Sequence, residues 1–289
     1  MKLAQIRGVA AIVEGGRYYP LPGLTMADLI RQAEEKGREL ADLARELTSS
    51  GPVDGRPEIP VTPPEIWACG CTYAPSAEFR DTELGTREGM YHYVYRAPRP
   101  EIFFKGTARV CVGPGEPIGI RFDSQFTAPE PELAVVIDGR GKIVGYTLAN
   151  DVSAWDIERE NALYLPQSKV YIGCCALGPV LVTPDEIPDP YNLELTCTIR
   201  RGAATIFEGS VSTAKLYRKF EYLVDYLRRA NPVPAATVVL TGTGIIVTED
   251  AALAPGDEVI IEAPQIGRLS NPAAVVGQAS GLSSRQEPR

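Results

Sequence analysis

Histidine is almost absent: His92 is the one imidazole in 289 residues. Zinc hydrolases, Ser-His-Asp triads and Cys-His dyads all need imidazole at a defined place. His92 lies in Tyr91-His92-Tyr93-Val94-Tyr95, where a packing role is expected rather than catalysis. Basic clusters are missing too. Acids outnumber bases 37 to 29, the net charge is −8, and no Lys/Arg run supplies the footprint of a nucleic-acid binder. No apolar stretch approaches the ~20 residues of a membrane helix. The apolar residues 9–13 end at Glu14, too soon for the core of a signal peptide. The partners expected are therefore small molecules, with no nucleic acid and no membrane. Paired Cys-x-x-Cys spacing is also lacking among Cys69, Cys71, Cys111, Cys174, Cys175 and Cys197. The adjacent Cys174-Cys175 suits neither a zinc site nor an easy disulfide, so reduced, mostly buried thiols in a cytoplasm are expected. Thr241-Gly242-Thr243-Gly244 lacks the Lys-Ser/Thr of a phosphate loop, and reads as a tight turn near a ligand.

What is present falls into two parts. Residues 3–20 read as a β-hairpin about Gly15-Gly16. Thr25 with Asp28 makes a capping-box signal, and Met26, Leu29, Ile30 and Ala33 recur at helical spacing. The pattern resumes after Gly37 with Leu40, Leu43, Ala44 and Leu47, as one interrupted helix or two. The Pro-rich residues 52–64 then read as a linker, which predicts a small N-terminal α+β domain over residues 1–60. Residues 61–280 carry short β-like runs at 66–69, 102–104, 134–137, 193–199, 238–240 and 258–262. One helix is expected from Ser212 to Ala230, with a stripe of Leu216, Phe220, Leu223, Val224 and Leu227. Residues 281–289 read as a frayed tail.

Three acids stand out. Glu130 and Glu132 precede a strand-like run over 133–138, a Gly139-Arg140-Gly141-Lys142 turn, and a second run over 143–148 leading to Asp151. If those four residues form the loop, Asp138 pairs with Ile143. Leu133, Val135 and Ile137 then face Leu148, Tyr146 and Val144 on one apolar side, which pins the register. The same count sets Asp151 opposite Glu130, with Glu132 on the same face, so three carboxylates converge at the open end. Like charges so close repel. A divalent cation reverses that cost, and hard oxygen ligands favour Mg²⁺, Mn²⁺ or Ca²⁺.

Over roughly residues 60–275 the ordered motifs resemble the fumarylacetoacetate hydrolase family. They are Gly70-Cys71-Thr72-Tyr73, Phe103-Phe104-Lys105, Glu130-x-Glu132, the run 145–151, Lys169, Ala176-Leu177-Gly178-Pro179 and Thr241-Gly242-Thr243. The resemblance implies an α+β fold, a mixed β-roll with a small N-terminal domain, in which Glu130, Glu132 and Asp151 bind Mg²⁺ or a similar cation and Lys169 lines the site. Family hydrolases carry a lid histidine that activates water; Ser76 stands in its place here. That change, the Gly244 after Thr243, Glu101 before Phe103-Phe104-Lys105, and the run 163–171 resemble the branch that dehydrates 2-keto-3-deoxy sugar acids. Trp155 departs from an Arg often found at its position.

The chemistry implied is proton abstraction beside a ketone, followed by loss of water. Lys169 is the candidate base and Glu101 the group that holds or protonates the departing water. Ser76, Glu78 and Arg80 in the lid, with Lys105, Gly242 and Thr243, are the expected substrate contacts. The substrate expected is a 2-keto acid, and the assembly a homodimer or homotetramer. The alternatives are metal-dependent C–C hydrolysis of an acylpyruvate or 2,4-diketo acid, and an inactive, metal-stabilised binding protein.

Overall fold

The computed structural model describes residues 1–48, 51–74, 76 and 90–277. The expected tail at 281–289 lies outside the described residues. The chain opens with an antiparallel meander, β1 (Lys2–Ile6), β2 (Val9–Glu14) and β3 (Arg17–Pro20), so the expected hairpin is joined by one more strand. Helix α1 (Met26–Lys36) starts at the Thr25–Asp28 capping box and stops at Gly37, whose φ of 62° is left-handed. The helical region is therefore two helices, the second being α2 (Leu40–Leu47).

The rest of the chain supplies β4 (Ile66–Gly70), α3 (Met90–Arg96), β5 (Glu101–Gly106), β6 (Cys111–Val112), β7 (Ile118–Arg121), β8 (Thr127–Ala128), β9 (Pro131–Ile137), β10 (Ile143–Asp151) and β11 (Ser153–Ala154). After them come α4 (Trp155–Glu160), α5 (Leu165–Lys169), β12 (Cys175–Val182), β13 (Glu194–Arg201), β14 (Ala204–Ser212), α6 (Phe220–Arg228), β15 (Thr237–Leu240), β16 (Glu258–Ala263) and β17 (Gly267–Val276). Among the described residues a ten-stranded mixed sheet runs β3-β2-β1-β12-β10-β9-β15-β4-β5, with β6 also on β12. A five-stranded sheet runs β14-β13-β16-β17-β7. The fold is the expected α+β class with mixed sheets. The N-terminal strands continue the large sheet, because β1 pairs antiparallel with β12.

The β9–β10 hairpin lies at the centre and is buried on both faces. Leu133, Val135, Ile137, Tyr146 and Leu148 pack with Phe220 and Leu223 of α6 and with Val259 and Ile261 of β16. Ala134, Val136 and Ala149 belong with Leu29 and Ile30 of α1 and Leu43 of α2. The N-terminal helices thus back the face that carries the acids.

Two local expectations are corrected. The hairpin register holds from Gly145↔Val136 through Asn150↔Pro131, but nearer the turn Ile143 faces Ile137, with a bulge between Ile143 and Gly145. The cause is the turn itself. The Asp138 carboxylate accepts from the Arg140 and Lys142 N–H groups (2.9 and 2.7 Å), and Gly141 sits at φ 84°, which makes a shorter loop. Val144 is the residue displaced, and it joins the α1 side of the sheet. The long helix expected from Ser212 is shorter: α6 begins at Phe220. Residues up to Ser212 pair in β14, Tyr217 N–H donates to Thr72 O (2.9 Å), and Arg218 donates to Val94 O, Tyr95 O and Ala97 O.

Candidate metal and active site

Glu130 immediately precedes β9, Glu132 is its second residue and Asp151 is the last of β10. Asp151 N–H donates to Glu130 O at 2.9 Å, extending the ladder by the one pair that sets these two residues opposite each other. One carboxylate oxygen from each acid lies within 4.8 Å of the others. These are core residues, 4, 1 and 1 % exposed for Glu130, Glu132 and Asp151. An ordinary solvated hairpin end would leave them in water. Their frame is fixed by neighbours: Asn150 Oδ1 accepts from Glu130 N–H (3.1 Å) and Gly242 N–H donates to Glu132 Oε2 (2.5 Å).

Gly242 reaches that position at φ 96°, where an added Cβ would overlap Thr72 Oγ1 and come within 2.8 Å of Cys69 O. A glycine is required there.

Two buried lysines enter the cluster. Lys169, at the end of α5, donates to Glu130 Oε1 (2.9 Å), Asp151 Oδ2 (3.4 Å) and Ser153 Oγ (2.6 Å), and lies 3.9 Å from Glu158 Oε2. Lys105 pairs with Asp151 Oδ1 (2.5 Å) and donates to Val152 O (3.0 Å). Burial lowers the pKa of Lys105, but the Asp151 charge and hydrogen bond, with Cys174 and Cys175 nearby, together outweigh it and the ammonium is held above its ordinary range. Burial, then the charges of Asp151 and Glu130, push the Glu132 carboxyl well above its ordinary value. Among the described residues, Glu130, Glu132, Asp151 and Glu158 set four carboxylates against the two ammonium groups of Lys105 and Lys169. With all ionised, two negative charges remain, and one dication cancels them. The donor set is entirely oxygen, so the residues present fit Mg²⁺ or a similar hard cation.

The other expected residues divide. Glu101 lies opposite Gly70 across β4–β5, and a Cβ on Gly70 would overlap its carboxylate. Cys71 Sγ donates to Glu101 Oε2 (3.3 Å), and Glu101 walls a cavity of about 710 Å³ with Tyr91, Leu165 and Tyr226. Thr243 is buried with its hydroxyl turned to Ile245 O (3.1 Å) in its own loop. Ser76 is buried; Glu78 and Arg80 lie outside the described residues. His92 is on α3, its ring 6.1 Å from that of Tyr95.

Sequence reasoning passed over Ser153, Glu158 and Tyr171. Ser153 could have been found by alternation two residues beyond Asp151. Glu158 is 1 % exposed and no periodicity flags it. The Tyr171 hydroxyl donates to Val152 O (3.2 Å), the carbonyl that Lys105 also uses.

Three carboxylates and two lysines at the open end of a central hairpin, on a mixed β-sheet fold, define a metal-site enzyme architecture, and the chain belongs to the fumarylacetoacetate hydrolase family. That family's profile, described as fumarylacetoacetate hydrolase C-terminal, matches residues 83–274. The chain is 51 % identical over 216 residues to the 2-dehydro-3-deoxy-D-arabinonate dehydratase of Saccharolobus solfataricus, covering 74 % of this chain and 72 % of that protein. It is 44 % identical over 258 residues to a probable 2-keto-3-deoxyxylonate dehydratase of Haloferax volcanii, covering 87 % and 89 %. Among solved structures, a 2-keto-3-deoxy-D-arabinonate dehydratase complexed with magnesium and 2,5-dioxopentanoate aligns with a TM-score of 0.82 at 40 % identity, over 96 % of this chain and 99 % of that one.

Proposed function

We propose that this protein dehydrates a 2-keto-3-deoxy aldonic acid to a 2-keto semialdehyde, with Mg²⁺, Mn²⁺ or Ca²⁺ held by Glu130, Glu132 and Asp151. The observation that carries this reading is the buried carboxylate cluster with Lys169 inside it. The dehydratase relatives, one of them with magnesium and 2,5-dioxopentanoate, support it. A cation held there would supply Lewis-acid stabilisation of the negative charge that develops on a 2-keto acid as C3 loses a proton.

Lys169 takes the C3 proton once it has given up its own, which requires that its contacts to Glu130 and Asp151, which favour the ammonium, be loosened. Lys105 stays protonated beside Asp151 and serves as a fixed charge. Glu101 protonates the C4 hydroxyl, which leaves as water. For a five-carbon acid, a proton then leaves C5 and another returns to C3, converting the unsaturated alcohol to the enol of the aldehyde. One water is lost overall. Ser76, Glu78, Arg80, Gly242 and Thr243 are proposed to surround the substrate. Residues 61–280 form the catalytic domain in this reading, backed by residues 1–60. It works in the cytoplasm as a homodimer or homotetramer, and six buried cysteines outside any disulfide support a reducing compartment.

The test is turnover of a panel of 2-keto-3-deoxy sugar acids and acylpyruvates by the metal-loaded protein, with products identified. A semialdehyde from a sugar acid is expected. Two acids from an acylpyruvate, with no semialdehyde, would replace this reading by C–C hydrolysis.

A further inference from the structure

Glu158 is a buried carboxylate for which the reaction above has no use. It sits on α4, 1 % exposed, with Ser168 Oγ 3.5 Å and Lys169 Nζ 3.9 Å from its Oε2, while the Ser168 hydroxyl donates to Ala154 O at 2.9 Å. Lys169 therefore meets acids from two elements. Glu130 Oε1 and Asp151 Oδ2 of the hairpin lie at 2.9 and 3.4 Å and Glu158 Oε2 of α4 at 3.9 Å, with Ser153 Oγ at 2.6 Å. Ser153 donates its own proton to Asp151 O (3.0 Å), which leaves a lone pair to accept from the lysine.

The ammonium thus occupies two of the three carboxylates that would hold a dication. Lysine and metal compete for the same oxygens, and two like charges in a buried site repel strongly. We propose that Glu158 is a positioning residue for Lys169: with Ser153 it offers the ammonium a second berth, taken up when a divalent cation claims Glu130 and Asp151. This rests on the metal reading above and adds to it. A carboxylate that ligates nothing then helps to set metal affinity, by receiving the cation that the metal displaces.

The experiment is calorimetric titration of Mg²⁺ into the full-length protein and its variants. Glu158→Gln should weaken binding roughly 10-fold, the scale typical of groups that support metal ligands. Lys169→Met should bind at least as tightly as wild type, because no ammonium competes. The double variant should match Lys169→Met, an erasure that a merely structural role for Glu158 would not produce. Ser153→Ala, which leaves Glu158 in place, serves should Glu158→Gln misfold; it should weaken binding less, with the loss again erased by Lys169→Met. Wild-type affinity in Glu158→Gln, or a loss that persists in the Lys169→Met background, overturns the proposal while leaving the metal site standing. A wild-type protein that binds no divalent cation overturns both.

Discussion

Glu132 and Asp151 are both buried carboxylates of the triad, and removing each has a different consequence. Burial, and then crowding by Asp151 and Glu130, penalise the charge of Glu132. Asp151 carries the ion pair that keeps Lys105 in the core. Glu132→Gln should leave the metal-free protein as stable as wild type or more so, while Asp151→Asn should cost about 3 kcal/mol by stranding a buried ammonium. Both should weaken Mg²⁺ binding at least ~10-fold. Urea unfolding and metal titration of the two variants check this pair of outcomes. Unchanged affinity in both would remove the metal site.

At the scale of elements, the hairpin decides where the acids meet. Its far end was legible, because Leu133 and Val135 match Leu148 and Tyr146 as one apolar face, and that match carries Glu130 to Asp151. Its near end was not, because the Asp138 side chain and the φ of Gly141 set the turn. Strands β12 and β17 escaped the pattern because Gly178-Pro179 and Pro272 interrupt them, and internal proline argues against strand by sequence alone. The convergence of Lys105 and Lys169 came only from the family motifs: α5 and β5 are far apart in sequence, and periodicity relates neither to the hairpin. The turn at Gly242 reads out the same assembly. Gly242→Ala places a side chain at φ 96° against Thr72 and Cys69, so a loss of roughly 2 kcal/mol is expected, together with weaker Mg²⁺ binding through the N–H to Glu132. Wild-type unfolding midpoints and affinity would show that the turn can shift freely.

Across the whole molecule, the site is a charged inclusion in a two-sided core, and its burden depends on pH. The Glu132 carboxyl is raised above 4.5 in the folded state, whereas in the unfolded chain it titrates near that value. Above 4.5 and up to its raised value, the folded protein holds a proton that the unfolded chain has lost. Stability of the metal-free protein therefore falls as pH rises through this window, and a divalent cation that takes the proton's place restores it. The gain in thermal midpoint on adding Mg²⁺ should grow as pH rises above 4.5, the ordinary value of the Glu132 carboxyl. A gain that stays constant would show that Glu132 does not link metal to stability.

The most direct test of the account follows C3 of the substrate by NMR in deuterated water, with Mg²⁺ and a 2-keto-3-deoxy pentonic acid. Wild type should wash solvent deuterium into C3 and release a semialdehyde, and Lys169→Met should bind the metal yet turn over roughly 10² to 10⁴ times more slowly, the usual range for loss of a general base. Full turnover by Lys169→Met would contradict the assignment of the base. A wild-type protein that neither exchanges C3 nor releases a semialdehyde, but splits an acylpyruvate into two acids, would contradict the dehydratase itself.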